Sequence, residues 1–342
     1  MDISFTLALI IGLYTFNQAV SGSNLRERVY NKVKNFAVTA DPFKTHENIK
    51  SALACGMKCT SDCCFMANFI QTTKRCLLFR NLLHDNTGYV NPDITKWEQI
   101  TPSQGSQILY TKSIYRDCQE IYNTGCDVDA VYTIQPNMGQ PPFNIQCDMT
   151  SGGWDIIQRR IDGAQDFHFQ TWDAYKQGFG DLQTEYWLGN DKIHILSNSG
   201  NYMIDFDLRH PNGNWFSESY DNFEITDESD KYRLTIGNAI GGDAGDSIHG
   251  HGAIYDPGNM QFSTIDRDND GSGLNCAEAL KGGGWWYSSC GRVKLNAVYS
   301  SDGEYDTGNK GLNWHNITKV HLYAGQYASI METVMKLKQV LP

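Results

Sequence analysis

Residues 3–16 (ISFTLALIIGLYTF) are apolar at almost every position, a run that no later segment matches. It is shorter than the about 20 apolar residues a bilayer core requires. NQAVSGS follows, and its Ala19 and Ser21 form a small-x-small cleavage pattern, so the run predicts a signal peptide over residues 1–21 and a secreted chain without a membrane span. No Lys or Arg precedes it, and the alternative is a buried N-terminal strand or helix. From Glu47 through Lys58 the positions Ile49, Ala52, Leu53 and Met57 recur at helical spacing, which puts Cys55 and Cys59 one turn apart on one flank. Strands are predicted over Cys63–Phe69 and Arg75–Phe79 around a polar Gln71–Lys74 turn. A polar stretch at Thr101–Ser106 marks a domain boundary, with a short strand-like ILYT after it.

Beyond that boundary the pattern changes. Val131–Ile134 and Asp155–Arg159 are β-rich, and Asn201–Leu208 alternates, with Tyr202, Ile204, Phe206 and Leu208 on one face: an antiparallel sheet. Helices are short, Thr171–Gln177 and Asp191–Ser197, the second capped by Asn190 or Asp191. The last third reads mostly as loop. The fold class is α+β, with a small domain over 22–112 and a larger one over 113–342.

Composition narrows the function. Hydrophobic residues are 40% and charged ones 20% of the chain, an ordinary globular balance. The net charge of −11 is spread along the chain with no basic block, which argues against nucleic acid and anionic bilayers as partners. Ten cysteines follow the leader, and in an oxidising compartment they predict disulfides. Zinc is disfavoured, because Cys55-x3-Cys59 has neither repeated Cys-x2-Cys pairs nor nearby histidines. No Gly-x-Ser-x-Gly, His-Glu-x-x-His or phosphate loop occurs, so the chain is read as no enzyme. His249 and His251 lie in a Gly-rich loop without a third ligand, and Asp246, Ser247 and His249 are too close in sequence for a triad.

The first cysteine group, Cys55, Cys59, Cys64 and the Cys76-Leu77 pair, resembles a PAN or apple domain, a helix pinned to a small sheet. That resemblance implies Cys55 with Cys76 and Cys59 with Cys64 or Cys63, and a role in protein or carbohydrate contacts. One of Cys63 and Cys64 is then spare, as is Cys126; they join each other or bridge two chains, which would make a homo-oligomer.

From Asp117 onward the strings DCQEI, VYTIQP, PFNIQCDM, GGWDIIQRR, WLGNDKIHIL, FSTIDRDNDGSG, NCAEAL and GGGWWYSSC resemble the fibrinogen C-terminal domain of fibrinogen chains, ficolins, tenascins and angiopoietins. The resemblance implies disulfides Cys118–Cys147 and Cys276–Cys290, and a loop-rich calcium-binding end.

Asp266 to Leu274 (DRDNDGSGL) clusters oxygen donors with glycines, which suits a hard cation. It is not an EF-hand, because its twelfth position is Ala277 where a bidentate Glu is required. The family resemblance implies a calcium set of Asp268, Asp270 and the carbonyls of Ser272 and Leu274. It also implies an acetyl-binding pocket from Trp286, Ser289, Cys290, Gly291 and Tyr305, with a cis Ser289–Cys290 peptide. Two pocket elements depart from the family pattern: Gly291 stands where His is common, and Leu280 where an aromatic is. Asn316-Ile317-Thr318 is a glycosylation acceptor. These features imply a secreted calcium-dependent recognition protein, a lectin-like binder of acetylated glycans. The alternative is an adhesive or receptor-binding ligand that engages cell-surface or matrix proteins.

Overall fold

The computed structural model describes residues 115–249, 256–304, 311–318 and 328–340, together with 14–16, 30–34, 44–50, 66–70, 74–79, 106–111, 322–323 and 326–327. Contacts divide the chain into two compact units, with the division in sequence between Asn144 and Ile145.

The first unit carries a six-stranded antiparallel sheet. Its strands are β1 (Tyr14–Phe16), β2 (Tyr30–Lys34), β3 (Lys44–His46), β4 (Met66–Ile70), β5 (Arg75–Phe79) and β6 (Ser106–Thr111), in the order β1-β2-β6-β4-β5-β3. The β4–β5 hairpin matches the pattern read around the Gln71–Lys74 turn. The helix expected from Glu47 does not begin there. Asn48 is left-handed (φ 58°), and the Ile49 N–H donates across to the Lys74 carbonyl at 2.8 Å, so this segment is committed to the sheet edge. The rest of that helix, with Cys55, Cys59, Cys63 and Cys64, lies outside the described residues. α1 (Cys118–Tyr122) follows, capped by Asp117 through the Glu120 N–H, and then β7 (Ala130–Ile134) and the start of β8 (Phe143–Asp148).

The second unit is built on an antiparallel sheet. It comprises β9 (Trp154–Arg160), β10 (Phe179–Gly180), β11 (Tyr186–Trp187), β12 (Tyr202–Arg209), β13 (Trp215–Tyr220), β16 (Ala239–Gly242) and β21 (Glu332–Gln339), ordered β10-β11-β9-β21-β12-β13-β16. Between them in sequence lie α2 (Trp172–Gln177), α3 (Asn190–Ser197), and the β14 (Phe223–Ile225) and β15 (Leu234–Ile236) pair. Later come α4 (Cys276–Ala279), the β17 (Val293–Lys294) and β18 (Asn313–Trp314) pair, α5 (His315–Thr318), and the β19 (Leu322–Tyr323) and β20 (Gln326–Tyr327) pair. The chain's end becomes a central strand, since β21 pairs with both β9 and β12.

The alternation of β12 does what its pattern predicts: Tyr202, Ile204, Phe206 and Leu208 are all buried on one face. Thr171 caps α2 by accepting the Ala174 N–H. α3 differs from expectation, because its cap position is Gly189 and no side chain bonds there. The Asn190 carboxamide is occupied instead, accepting the Trp187 indole N–H at 2.9 Å.

The core between sheet and loops is aromatic. Tyr175, Trp187, Phe262 and Trp286 meet at centroid distances of 5.0–6.2 Å, and Trp172 and Tyr232 extend the cluster. Such ring pairs contribute about 0.5–1.5 kcal/mol each beyond their buried area. Gly283 (φ 67°) allows the loop to reach this core, because a Cβ there would come within 2.3 Å of the Asn296 carbonyl. A buried ion pair ties the next layer: Arg160 lies 3.6 Å from Glu185, and Glu185 accepts the N–H groups of Ile161, Asp162, Gly163 and Gln165. Burial holds the Arg160 guanidinium below its ordinary pKa, partly offset by the Glu185 charge. Among the described residues no helix is long and apolar enough to cross a membrane.

Candidate functional site

The acidic segment from Asp266 is anchored before it turns. The Ser263 and Trp285 main chains exchange hydrogen bonds at 2.9 and 3.0 Å, and Asn269 fastens to the Phe262 carbonyl and the Ser263 hydroxyl. The Asp266 carboxylate accepts the Trp172 N–H at 2.9 Å and the Thr264 hydroxyl at 2.7 Å, which fixes the segment to the start of α2. Arg267 lies over the Trp172 ring at 4.3 Å. Sequence reasoning did not single out Asp266 or Arg267 for this; an acidic run alone does not show which of its carboxylates faces inward.

The turn then closes on itself. Asp268 accepts the Asp270 N–H at 3.1 Å, and the Asp270 carboxylate accepts Ser272 N–H and Cys276 N–H, each at 2.8 Å. Burial raises the Asp270 pKa, and the Asp268 charge adds to the shift. Two crowded carboxylates beside carbonyl-bearing Gly-rich backbone form a donor set of oxygens only, which fits a hard cation better than a soft one. The residues that would hold it are Asp268, Asp270 and the Ser272 and Leu274 carbonyls.

This turn is joined to the neighbouring loop. The Gly271 N–H donates to the Ser288 carbonyl at 2.7 Å, and a disulfide links Cys276 to Cys290. Asn275 caps α4 through the Glu278 N–H and donates to the Thr264 carbonyl at 2.9 Å.

The expected pocket residues separate. Ser289 is exposed, and Cys290 and Gly291 are half-buried at the surface. Trp286 is not on that surface: it is 1% exposed, donates to the Tyr232 carbonyl and packs on Phe262, Trp187 and Phe223. Trp285 and Tyr287 are buried as well. The expected cis Ser289–Cys290 bond is absent, as there is no cis peptide among the described residues; the chain turns instead through left-handed Cys290 (φ 57°) and Gly291 (φ 42°). Tyr305 lies outside the described residues.

Behind the disulfide, the Arg292 carbonyl accepts from the Asn313 amide at 2.7 Å and the His315 N–H at 3.1 Å, and the guanidinium approaches the His315 ring at 2.6 Å. These three residues were missed, because they come together only through the β17–β18 pairing.

Cys76, Cys118, Cys126 and Cys147 are each disulfide-bonded, so Cys126, left over from the two pairs that the family resemblance implies, is in a disulfide as expected. The Asn316 amide donates to the Asp246 carbonyl at 3.1 Å. His249 faces Asp246 at 3.4 Å, while Ser247 is buried and accepts the Asn316 N–H.

Comparison with known proteins gives a consistent answer. Residues 114–340 match the family model for the C-terminal globular domain of fibrinogen beta and gamma chains. The fibrinogen gamma chain of Mus musculus is 38% identical over 238 residues, 65% of this chain and 54% of that protein, and the gamma chain of Rattus norvegicus is 37% identical over the same length. The chain thus spans about half the length of these curated relatives. Among solved structures, the fibrinogen-like globe domain of human ANGPTL2 aligns with a TM-score of 0.59 at 34% identity, covering 66% of this chain and 99% of that one. Lamprey fibrin D-dimer, complexed with the peptide ligand Gly-His-Arg-Pro-amide, aligns with a TM-score of 0.59 at 31% identity, covering 68% and 76%. On the match over 114–340 and the globe that carries it, the chain belongs to the family of fibrinogen C-terminal globular domains.

Proposed function

We propose that this chain is a secreted, calcium-dependent recognition protein whose ligand docks on the surface shared by Asp268–Leu274 and Ser289–Gly291. The observation that supports this reading is the coupling of the two loops: Gly271 bonds to Ser288, and Asp270 holds the Cys276 N–H. A calcium ion on Asp268, Asp270 and the Ser272 and Leu274 carbonyls would brace the disulfide loop. With only two charged ligands its affinity falls at about 0.1–1 mM, as for extracellular modules. The role is non-catalytic.

The ligand class we favour is a polypeptide on a cell surface or in the matrix. Trp285, Trp286 and Tyr287 are committed to the core, which removes the aromatic faces that would stack on a sugar. Recognition of acetylated glycans would then rest on Ser289, Cys290, Gly291 and Tyr305. The amino-terminal cysteines, read as a PAN-like module, would supply a second contact or a link between chains.

An acetylated-glycan array and a cell-surface retention assay, each run with and without a calcium chelator, separate these readings. Calcium-dependent retention by a surface protein with a silent array is the expected result. Calcium-dependent glycan binding would reinstate the lectin, and calcium-independent binding throughout would remove the proposed mechanism.

A further inference from the structure

β16 (Ala239–Gly242) ends the sheet of the second unit and, among the described residues, pairs with β13 alone. A strand bonded on one side directs alternate N–H and C=O groups outward, where another chain can meet them. All four of its residues are exposed, Ile240 by 54%. Gly241 leaves the approach clear, since a Cβ there would meet nothing within 4 Å. Gly242 (φ 144°) lets the strand sit close on β13, because a Cβ there would come within 2.1 Å of the Ser217 carbonyl.

Sheet edges are commonly guarded by lysine, proline, shortness or a bulge. β16 has only the last two: it is four residues long, and its register shifts opposite Ser219 and Tyr220. The charges around it have one sign. Asp221 accepts the Asn238 N–H just before the strand, and Asp243 accepts the Ser217 N–H just after it, each at 2.8 Å. Both aspartates are exposed. No Lys or Arg occurs on β13, on β16 or in residues 243–249, and the His249 ring already faces Asp246 at 3.4 Å. Glu218, buried opposite Gly242, registers the same field: after burial, the larger cause, the Asp246 and Asp243 charges add to the rise in its pKa. A second copy of this chain on the edge would set these aspartates against one another, and like charges across a strand pair oppose it.

We propose that β16 is a docking edge for a basic, extended segment of a partner polypeptide, which adds a strand beyond Ala239–Gly242 and sets its Lys or Arg side chains against Asp221 and Asp243. In such an arrangement main-chain hydrogen bonds supply the affinity and the side chains supply the selection. Ile240 offers the apolar contact, and the acidic flanks choose the sign of the partner. The edge requires no calcium, and its argument does not depend on the acidic turn that begins at Asp266.

The test is fluorescence anisotropy on the full chain with a labelled peptide of alternating lysine and valine, together with hydrogen exchange of the Ala239–Gly242 amides. Both are run in chelator, so neither result bears on the calcium reading. Saturable binding of this peptide and slowed exchange at Ala239–Gly242 are expected. The glutamate–valine counterpart should not bind, and methylation of alternate peptide nitrogens should remove binding. Ile240→Lys changes an exposed side chain and guards the edge with the charge of the peptide, so it should weaken binding by about tenfold. Asp243→Asn keeps the oxygen that accepts from Ser217 while removing the charge, and should weaken binding by about threefold even if Ile240→Lys folds poorly. Absence of saturable binding, equal binding of the glutamate or methylated peptide, unchanged exchange at Ala239–Gly242, or binding that neither variant weakens overturns the edge. A dimer of the chain in sedimentation that Ile240→Lys abolishes overturns the basic partner in favour of a second copy.

Discussion

The Cys276 main-chain N–H donates to the Asp270 carboxylate at 2.8 Å, so the first cysteine of the closing disulfide is hydrogen-bonded to the proposed calcium ligand itself. The acidic turn and the disulfide loop are therefore joined through this residue pair, and disturbing one disturbs the other.

Asp270→Ala removes the acceptor for both Ser272 and Cys276 N–H groups. Loss of two such bonds should destabilise the second unit by about 1–3 kcal/mol without calcium. It should also abolish any rise in melting temperature on adding millimolar calcium. Thermal melts in chelator and in calcium check both effects, and a variant that melts like wild type in chelator contradicts the role given to these bonds.

Glu228 sets an acid-side dependence. Its carboxylate is bonded by Lys176 first and by the Trp172 indole at 2.8 Å, and these hold its pKa below the ordinary glutamate value of 4.5. A carboxyl depressed in the fold contributes stability that is present above its unfolded pKa and is lost as pH falls through the folded value. Glu228→Gln should therefore melt lower at neutral pH and lose less on acidification below about pH 4.5. Partial exposure of the group limits the difference to about 1 kcal/mol or less. Melting curves collected from about pH 7 to about pH 3 test this, and parallel curves would count against it.

Arg160→Met keeps much of the packing volume but strips Glu185 of its countercharge and the Ala297 carbonyl of its Arg160 donor, and leaves the Leu295 carbonyl with the Gln158 amide alone. Breaking a buried pair from one side costs about 3–5 kcal/mol. The midpoint of urea unfolding should fall accordingly, whereas a loss under about 1 kcal/mol would mean that Glu185 is held by its four main-chain donors alone.

Asn316 should carry no glycan. Its side-chain nitrogen is bonded to the Asp246 carbonyl, and Thr318, the third residue of the acceptor motif, is fully buried. Intact mass before and after endoglycosidase treatment decides the point, and a mass decrease that maps to this residue contradicts it.

Much of the architecture was legible along the chain because burial of one face leaves a local record. The alternation of Tyr202, Ile204, Phe206 and Leu208 gave β12, and Thr171 ahead of Trp172 marked the start of α2. The acidic Gly-rich run and the cysteines beside it located the candidate site before any contact was known. What the tertiary structure alone decided was which neighbour each side chain meets. A tryptophan in a Gly-rich loop suits a ligand surface or a core equally well, and only Phe262, Trp187 and Phe223 closing around Trp286 assign it to the core. The cap of α3 was decided in the same way, since Asn190 serves the Trp187 indole and Gly189 takes the cap position, and the Glu47 segment is held by the Ile49 N–H bond to the Lys74 carbonyl. Glu218 reads in sequence as one more polar strand residue. It is buried all the same and accepts the Gly245 N–H, and periodicity carries no information about a partner contributed from elsewhere in the chain.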